Sequence, residues 1–155
     1  MVILNIIWPT FAMVALVFVV WITLFVQRLG HIKRTPPAAG DFASGEAARR
    51  YFTPVEMPAN NLANLFEMPV LFFALVPLLL ITQHANAVQI VLAWAFVLLR
   101  AAHSFIHIGP QKVQARFVVY LLATVVLSAM WLGFFMDMVG AAYQYSQAMA
   151  AMPHM

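Results

Sequence analysis

The stretch "RAAHSFIHIGPQKVQAR", Arg100 to Arg116, decides how the chain is read. It follows the apolar run "VQIVLAWAFVLL", and it holds three of the chain's eight Lys and Arg residues. His103 and His107 stand between the two arginines, ahead of Gly109-Pro110. An oily run that ends in Arg and His, turns at Gly-Pro and resumes from Arg predicts two spanning helices joined at one membrane face. The polar cluster would lie at that face.

Composition supports the same reading. Of 155 residues, 65% are hydrophobic and 8% charged, against about 45–50% and about 25% in soluble domains. An all-α integral membrane protein follows, with a single domain over 1–155. Cys is absent, which excludes disulfides, thiolate metal sites and a protein thiol nucleophile. The net charge of +3 comes without a basic tract, so no nucleic-acid partner is expected. The N-terminal run "MVILNIIWPTFAMVALVFVVWITLFV" has no basic residue and is too long for a signal peptide. It reads as a retained first span.

A spanning helix needs about 20 mostly apolar residues. Four segments qualify, at about 3–27, 59–83, 87–107 and 113–136, with a C-terminal tail at 138–155. The long connection, about 28–58, is interrupted by "TPPAAGDFASG", and "EAARRYF" within it suits a short interfacial helix. All eight Lys and Arg fall on or near one face. The positive-inside rule then places the 28–58 loop and the Gly109-Pro110 turn in the cytoplasm. Both termini go to the non-cytoplasmic side, and a bacterial inner membrane is the expected location.

Polar residues inside spans are costly and usually face protein or water. Asn60, Asn64 and Glu67, at i, i+4 and i+7, fall within about 60° of one another on a continuous helix. Pro69 and Pro77 each remove a backbone donor and predict kinks. Arg100, His103 and His107, at i, i+3 and i+7, share a face of the third span, with Gln89 three turns back on the same side. Arg116 opens the fourth span, where the helix dipole favours an anion rather than a cation, and Tyr120 lies one turn on. Each group also has a plain reading. Asn and Glu glue helices together, Arg and His snorkel to the interface, and Arg116 biases topology. Taken together, they suit a small anionic or zwitterionic ligand.

The two motifs together resemble those of the MAPEG family, membrane-associated proteins of eicosanoid and glutathione metabolism. One is Asn64-x-x-Glu67 followed by Pro69. The other is Arg100-x-x-His103 with a Gly-Pro turn and then Arg116. The resemblance implies a homotrimer of four-helix bundles, with glutathione bound between neighbouring copies near the cytoplasmic face. By position, Asn64 and Glu67 would hold the glutathione backbone, Glu67 at its amino group. Arg100 and His103 would line the cleft, Arg116 would stabilise the thiolate, and Arg28 would match the family's first-helix arginine. His107, Asn60 and Tyr120 fall on the same faces. The implied activity is a glutathione-dependent transferase or peroxidase that takes lipophilic small-molecule substrates from the membrane lipid. The chain departs from the common pattern at Asn60 and Ala63, where many members carry arginine, and at His107, where many carry tyrosine. The rival reading is a non-catalytic trimer that binds a lipid or partner. No metal site is expected, because no third histidine is placed to join His103 and His107.

Overall fold

The computed structural model describes residues 3–151, so residues 1–2 and 152–155 of the expected domain lie outside it. A 3-10 turn, Ile3–Ile6, leads into α1, Ile7–Arg34. Then follow α2, Gly45–Phe52, α3, Met57–Leu65, and α4, Met68–Ile81. Helix α5, Ala87–Ile108, and helix α6, Val113–Ala150, complete the chain. Helix α1, the α3–α4 unit, α5 and α6 are four elements long and apolar enough to cross a membrane.

The core is a band of Met13, Val20, Phe72, Leu75, Leu79, Phe96, Leu127 and Met130. Phe72 stacks on Phe96 with ring centroids 5.1 Å apart. Large apolar side chains on the outside, among them Phe18, Trp21, Phe25, Leu122 and Leu132, remain exposed. A contiguous apolar exterior of this kind is unusual in water and ordinary in lipid.

Helices α5 and α6 form the most extensive pair. At one end Asn86 caps α5, its side chain accepting from the Gln89 N–H at 3.0 Å. Farther in, Gln89 Nε2 donates to the Met130 carbonyl at 3.0 Å. At the other end the turn after α5 folds tightly. Gly109 N donates to the Phe105 carbonyl at 2.9 Å and Gln111 N to the Ile106 carbonyl at 2.8 Å. A Cβ on Gly109 would meet the Phe105 oxygen at 3.0 Å, which is why glycine suits this position. Gln111 takes a left-handed conformation, φ 56°. This turn starts α6 directly beside the end of α5.

Two helices outrun their spans. Helix α1 continues past Gln27 to Arg34, with His31, Lys33 and Arg34 in its last turn, where cations complement the dipole. Pro36-Pro37 then ends it. Helix α6 continues past Met136 to Ala150, so most of the expected tail is helical. Hydropathy marks where the bilayer ends, not where the helix ends, and "GAAYQYSQAMA" contains no helix breaker apart from its first glycine. At 1.5 Å per residue, α6 is about 57 Å long, well beyond the ~30 Å hydrocarbon layer.

The second span is broken rather than kinked. Phe66 and Glu67 leave the helix, and Glu67 adopts φ −92°, ψ −97°. Pro69 is the cause, because it has no N–H for the Leu65 carbonyl and its ring crowds that turn. The expected three-residue stripe is corrected here. Asn60 and Asn64 stay on one face of α3, while the break carries Glu67 out of register to an exposed position. Pro77 leaves α4 uninterrupted.

Helix α2 docks on the end of α1. Ser44 caps it, Oγ accepting from the Ala47 N–H at 3.1 Å. The Tyr51 hydroxyl donates to the Thr35 carbonyl, and the Tyr51 ring meets His31 edge-on at 4.8 Å. The 28–58 connection is therefore folded against the basic end of the bundle.

Candidate functional site

A cleft of about 500 Å³ opens at that basic end between α3, α5 and α6. Its wall includes Asn60 and Asn64 from α3, His103 and His107 from α5, and Arg116 and Tyr120 from α6. Six residues named from the sequence are thus gathered in one place. Met57, Val113 and Phe117 also line the cleft; they are ordinary apolar residues that nothing in the sequence distinguishes from packing.

The two histidines are held differently. His103 Nδ1 lies 3.2 Å from the Arg116 carbonyl oxygen. A carbonyl only accepts, so Nδ1 carries the hydrogen and, in the neutral ring, Nε2 is left as an acceptor. Nε2 is buried without a partner, as is Nδ1 of His107. The two rings stand nearly perpendicular with centroids 5.6 Å apart, and the Tyr120 ring is 5.7 Å from that of His103. Buried polar atoms normally find partners. These two nitrogens are buried in the wall of the cleft rather than open to it, and the rings that carry them line it.

Arg116 stands in the first turn of α6. That turn has no acidic residue and no side-chain cap, so its first backbone N–H groups have no intrahelical acceptor. A guanidinium beside such a helix start makes a locally positive corner.

Three residues expected at the site do not line this cleft of the single chain. Arg100 is fully buried behind the cleft wall. Its Nη2 donates to the Asn64 carbonyl at 2.7 Å, and its Cζ sits 5.6 Å from the Tyr120 ring centroid. Glu67 lines no part of the cleft. Arg28 stacks on Phe52, its Cζ 4.7 Å from the ring centroid. It lines a smaller cleft of about 210 Å³ with Arg49, Phe52, Glu56, Ala59 and Asn60. Asn60 belongs to both clefts. Arg49 and Glu56 were not singled out from the sequence, since only the fold of the 28–58 connection brings them near α3.

Among the described residues no three His, Cys, Asp or Glu side chains converge as a metal site.

A bundle of four spanning helices with a basic, histidine-lined cleft at one end defines a class of integral membrane proteins. The model of the MAPEG family matches residues 6–136, and the chain belongs to that family. The family includes glutathione transferases and peroxidases together with other members. No curated protein and no solved structure matches the chain significantly.

Proposed function

We propose that the chain is a membrane-bound glutathione-dependent transferase or peroxidase acting on lipophilic electrophiles. The observation that carries this reading is the convergence of Arg116, His103, His107, Tyr120, Asn60 and Asn64 on one cleft. A volume of about 500 Å³ falls within the ~300–1,000 Å³ typical of small-molecule sites. The mixture of imidazole, guanidinium, phenol and amide side chains on its wall fits a ligand rich in N–H and O–H groups, as a tripeptide is.

Bound glutathione supplies the thiol that this cysteine-free chain lacks. Arg116 favours its ionised form. A guanidinium about 4 Å from a negative sulfur is worth about 4 kcal/mol at an effective dielectric near 20, or about 3 pKa units. That moves a free thiol from about 8.5 to mostly ionised at neutral pH. The proton is released to solvent, and His103, its Nδ1 bonded to the Arg116 carbonyl, lines the cleft beside the thiol. Asn60 and Asn64 offer amide donors and acceptors to the peptide backbone. The exposed apolar faces of α1 and α6 border the lipid from which an apolar electrophile would arrive.

In this reading the basic end faces the cytoplasm and the protein is a homotrimer. Glu67, exposed on a single chain, is available to a neighbouring copy. The test is a glutathione titration of the detergent-solubilised protein, read by thermal shift, with turnover of an activated aryl halide. A ligand bound to the native state raises apparent stability with its concentration. No shift and no turnover would leave the non-catalytic lipid- or partner-binding module as the reading.

A further inference from the structure

Part of the positive charge at the basic end belongs to neither cleft. Lys33, Arg34 and Arg50 are exposed and line neither of them. Lys33 and Arg34 close α1, and Arg50 lies in the last turn of α2. The fold ties these two helix ends together. The Tyr51 hydroxyl donates to the Thr35 carbonyl, so Arg50 and Arg34, the residues just before that pair, flank one hydrogen bond. The Tyr51 ring also meets His31 at 4.8 Å. We propose that this joined surface binds the phosphate of an anionic phospholipid in the surrounding leaflet.

Depth favours that partner. The apolar part of α1 ends at Gln27, and the helix continues to Arg34, about 10 Å farther at 1.5 Å per residue. The headgroup layer of one leaflet is roughly 5–8 Å thick. Helix α1 therefore ends at the outer edge of the headgroups, where long basic side chains reach the phosphates, and Tyr51 holds α2 at the same level. Phe42 is 52% exposed, with its ring 5.4 Å from that of Tyr51. An exposed phenylalanine beside Lys and Arg suits the headgroup boundary, as in helices that lie on membranes. A soluble acidic protein would match the same charges, but it offers no lipid boundary for Phe42, and the leaflet is already adjacent.

The charges are open to a lipid. Asp41 is engaged in its own turn, accepting from the Ala38 N–H at 2.7 Å. Among the described residues the one ion pair joins Arg50 to Glu46 at 3.4 Å, with both side chains at least 80% exposed. A pair of that length and exposure is weak, and a phosphate is a well-matched anion for a guanidinium fork. Arg34 donates from Nε to the Gly30 carbonyl at 3.3 Å, which holds its guanidinium at the end of α1. Lys33 has no ion-pair partner among the described residues. This lipid contact stands apart from the glutathione reading, since none of the three cations lines the main cleft.

The experiment compares two lipids. The full-length protein in detergent is titrated with phosphatidylglycerol and with phosphatidylcholine of the same acyl chains, and bound lipid is counted by native mass spectrometry. Lys33→Gln, Arg34→Gln and Arg50→Gln should each weaken phosphatidylglycerol about fivefold, the effect of one basic residue at an anionic surface, and leave phosphatidylcholine unchanged. Tyr51→Phe removes the bond to Thr35 without altering charge, and it should weaken phosphatidylglycerol as well. Lys112→Gln, at the start of α6, should not. Lipid-free thermal midpoints check that each variant is folded. Equal binding of the two lipids by the wild-type protein would overturn the site. So would a loss with Lys112→Gln as large as those at Lys33, Arg34 and Arg50, because net charge alone would then explain the preference. Undiminished phosphatidylglycerol affinity in Tyr51→Phe would overturn the joining of α1 and α2 into one lipid-binding surface.

Discussion

Arg100 Nη2 donates to the backbone carbonyl of Asn64 at 2.7 Å, the last turn before the second span breaks. The contact couples the two sequence motifs physically. Pro69 breaks the helix, and the guanidinium from α5 takes up a carbonyl at the broken end. The arrangement is costly, because Arg100 is fully buried with Nε and Nη1 unpartnered. One hydrogen bond returns about 1–3 kcal/mol, while the effective penalty of burying an ion is several kcal/mol. The second term wins in the ligand-free chain. Arg100→Met should therefore raise the stability of the unliganded protein in detergent, by about 1–4 kcal/mol. It should also weaken ligand-induced stabilisation, because Asn64 loses its anchor. A lower unliganded midpoint in thermal unfolding would show instead that the contact to Asn64 outweighs the desolvation.

That contact also shows what the sequence could and could not reveal. The four spans were legible because lipid requires long apolar runs. The shared face of Arg100, His103 and His107 was legible because α5 is an unbroken helix. Whether those faces meet was not. The i, i+4, i+7 spacing of Asn60, Asn64 and Glu67 assumes a continuous helix, and Pro69 invalidates it one turn before it would matter. Arg100 shares its stripe with two cleft residues yet points behind the wall, a difference of depth that periodicity cannot resolve. Arg49 and Glu56 were invisible for another reason. Their proximity to Asn60 depends on how a loop of low hydrophobicity folds back, through contacts such as Tyr51 on His31.

The far end of the α5–α6 pair offers a stability test away from the cleft. A Cβ at Gly133 would meet Gln89 Nε2 at 3.2 Å, the atom that donates to the Met130 carbonyl. Gly133→Ala must push that buried amide aside or part the two helices. The expected cost is about 1–3 kcal/mol, as for overpacking in other cores. It should appear as a lower thermal midpoint in detergent, with glutathione affinity unchanged. A large fall in affinity would show that the α5–α6 geometry is transmitted along the whole pair.

Orientation is open to direct measurement. Every Lys and Arg lies toward the end where α1 finishes and α6 starts. Reporter fusions after Phe42 and at Gln111 should read cytoplasmic, and fusions after Ala85 and Gln147 external. The fusion at Gln147 is informative because α6 projects well past the bilayer there. A cytoplasmic reading after Ala85 or Gln147 would put the basic cleft on the external side, away from cytoplasmic glutathione.

Arg116 makes the sharpest distinction between a catalytic and a topological role. It stands in a helix turn where a cation opposes the dipole, and it lines the same cleft as His103 and His107. Only its backbone carbonyl is engaged with His103, so a side-chain substitution leaves that bond in place. Arg116→Met should keep the fold and most of the glutathione affinity, since the lost interaction acts on the charged sulfur and not on the peptide. It should abolish the ultraviolet difference signal of ionised thiol at neutral pH, and any conjugation rate should fall with it. Arg116→Lys should recover part of both, being a point charge without the planar fork. The signal should reappear in Arg116→Met when the pH is raised toward the ~8.5 of a free thiol, because nothing then lowers it. Undiminished signal and turnover at neutral pH in Arg116→Met would reduce Arg116 to a topology determinant. The positive charge for the sulfur would then have to come from Arg100 or Arg28.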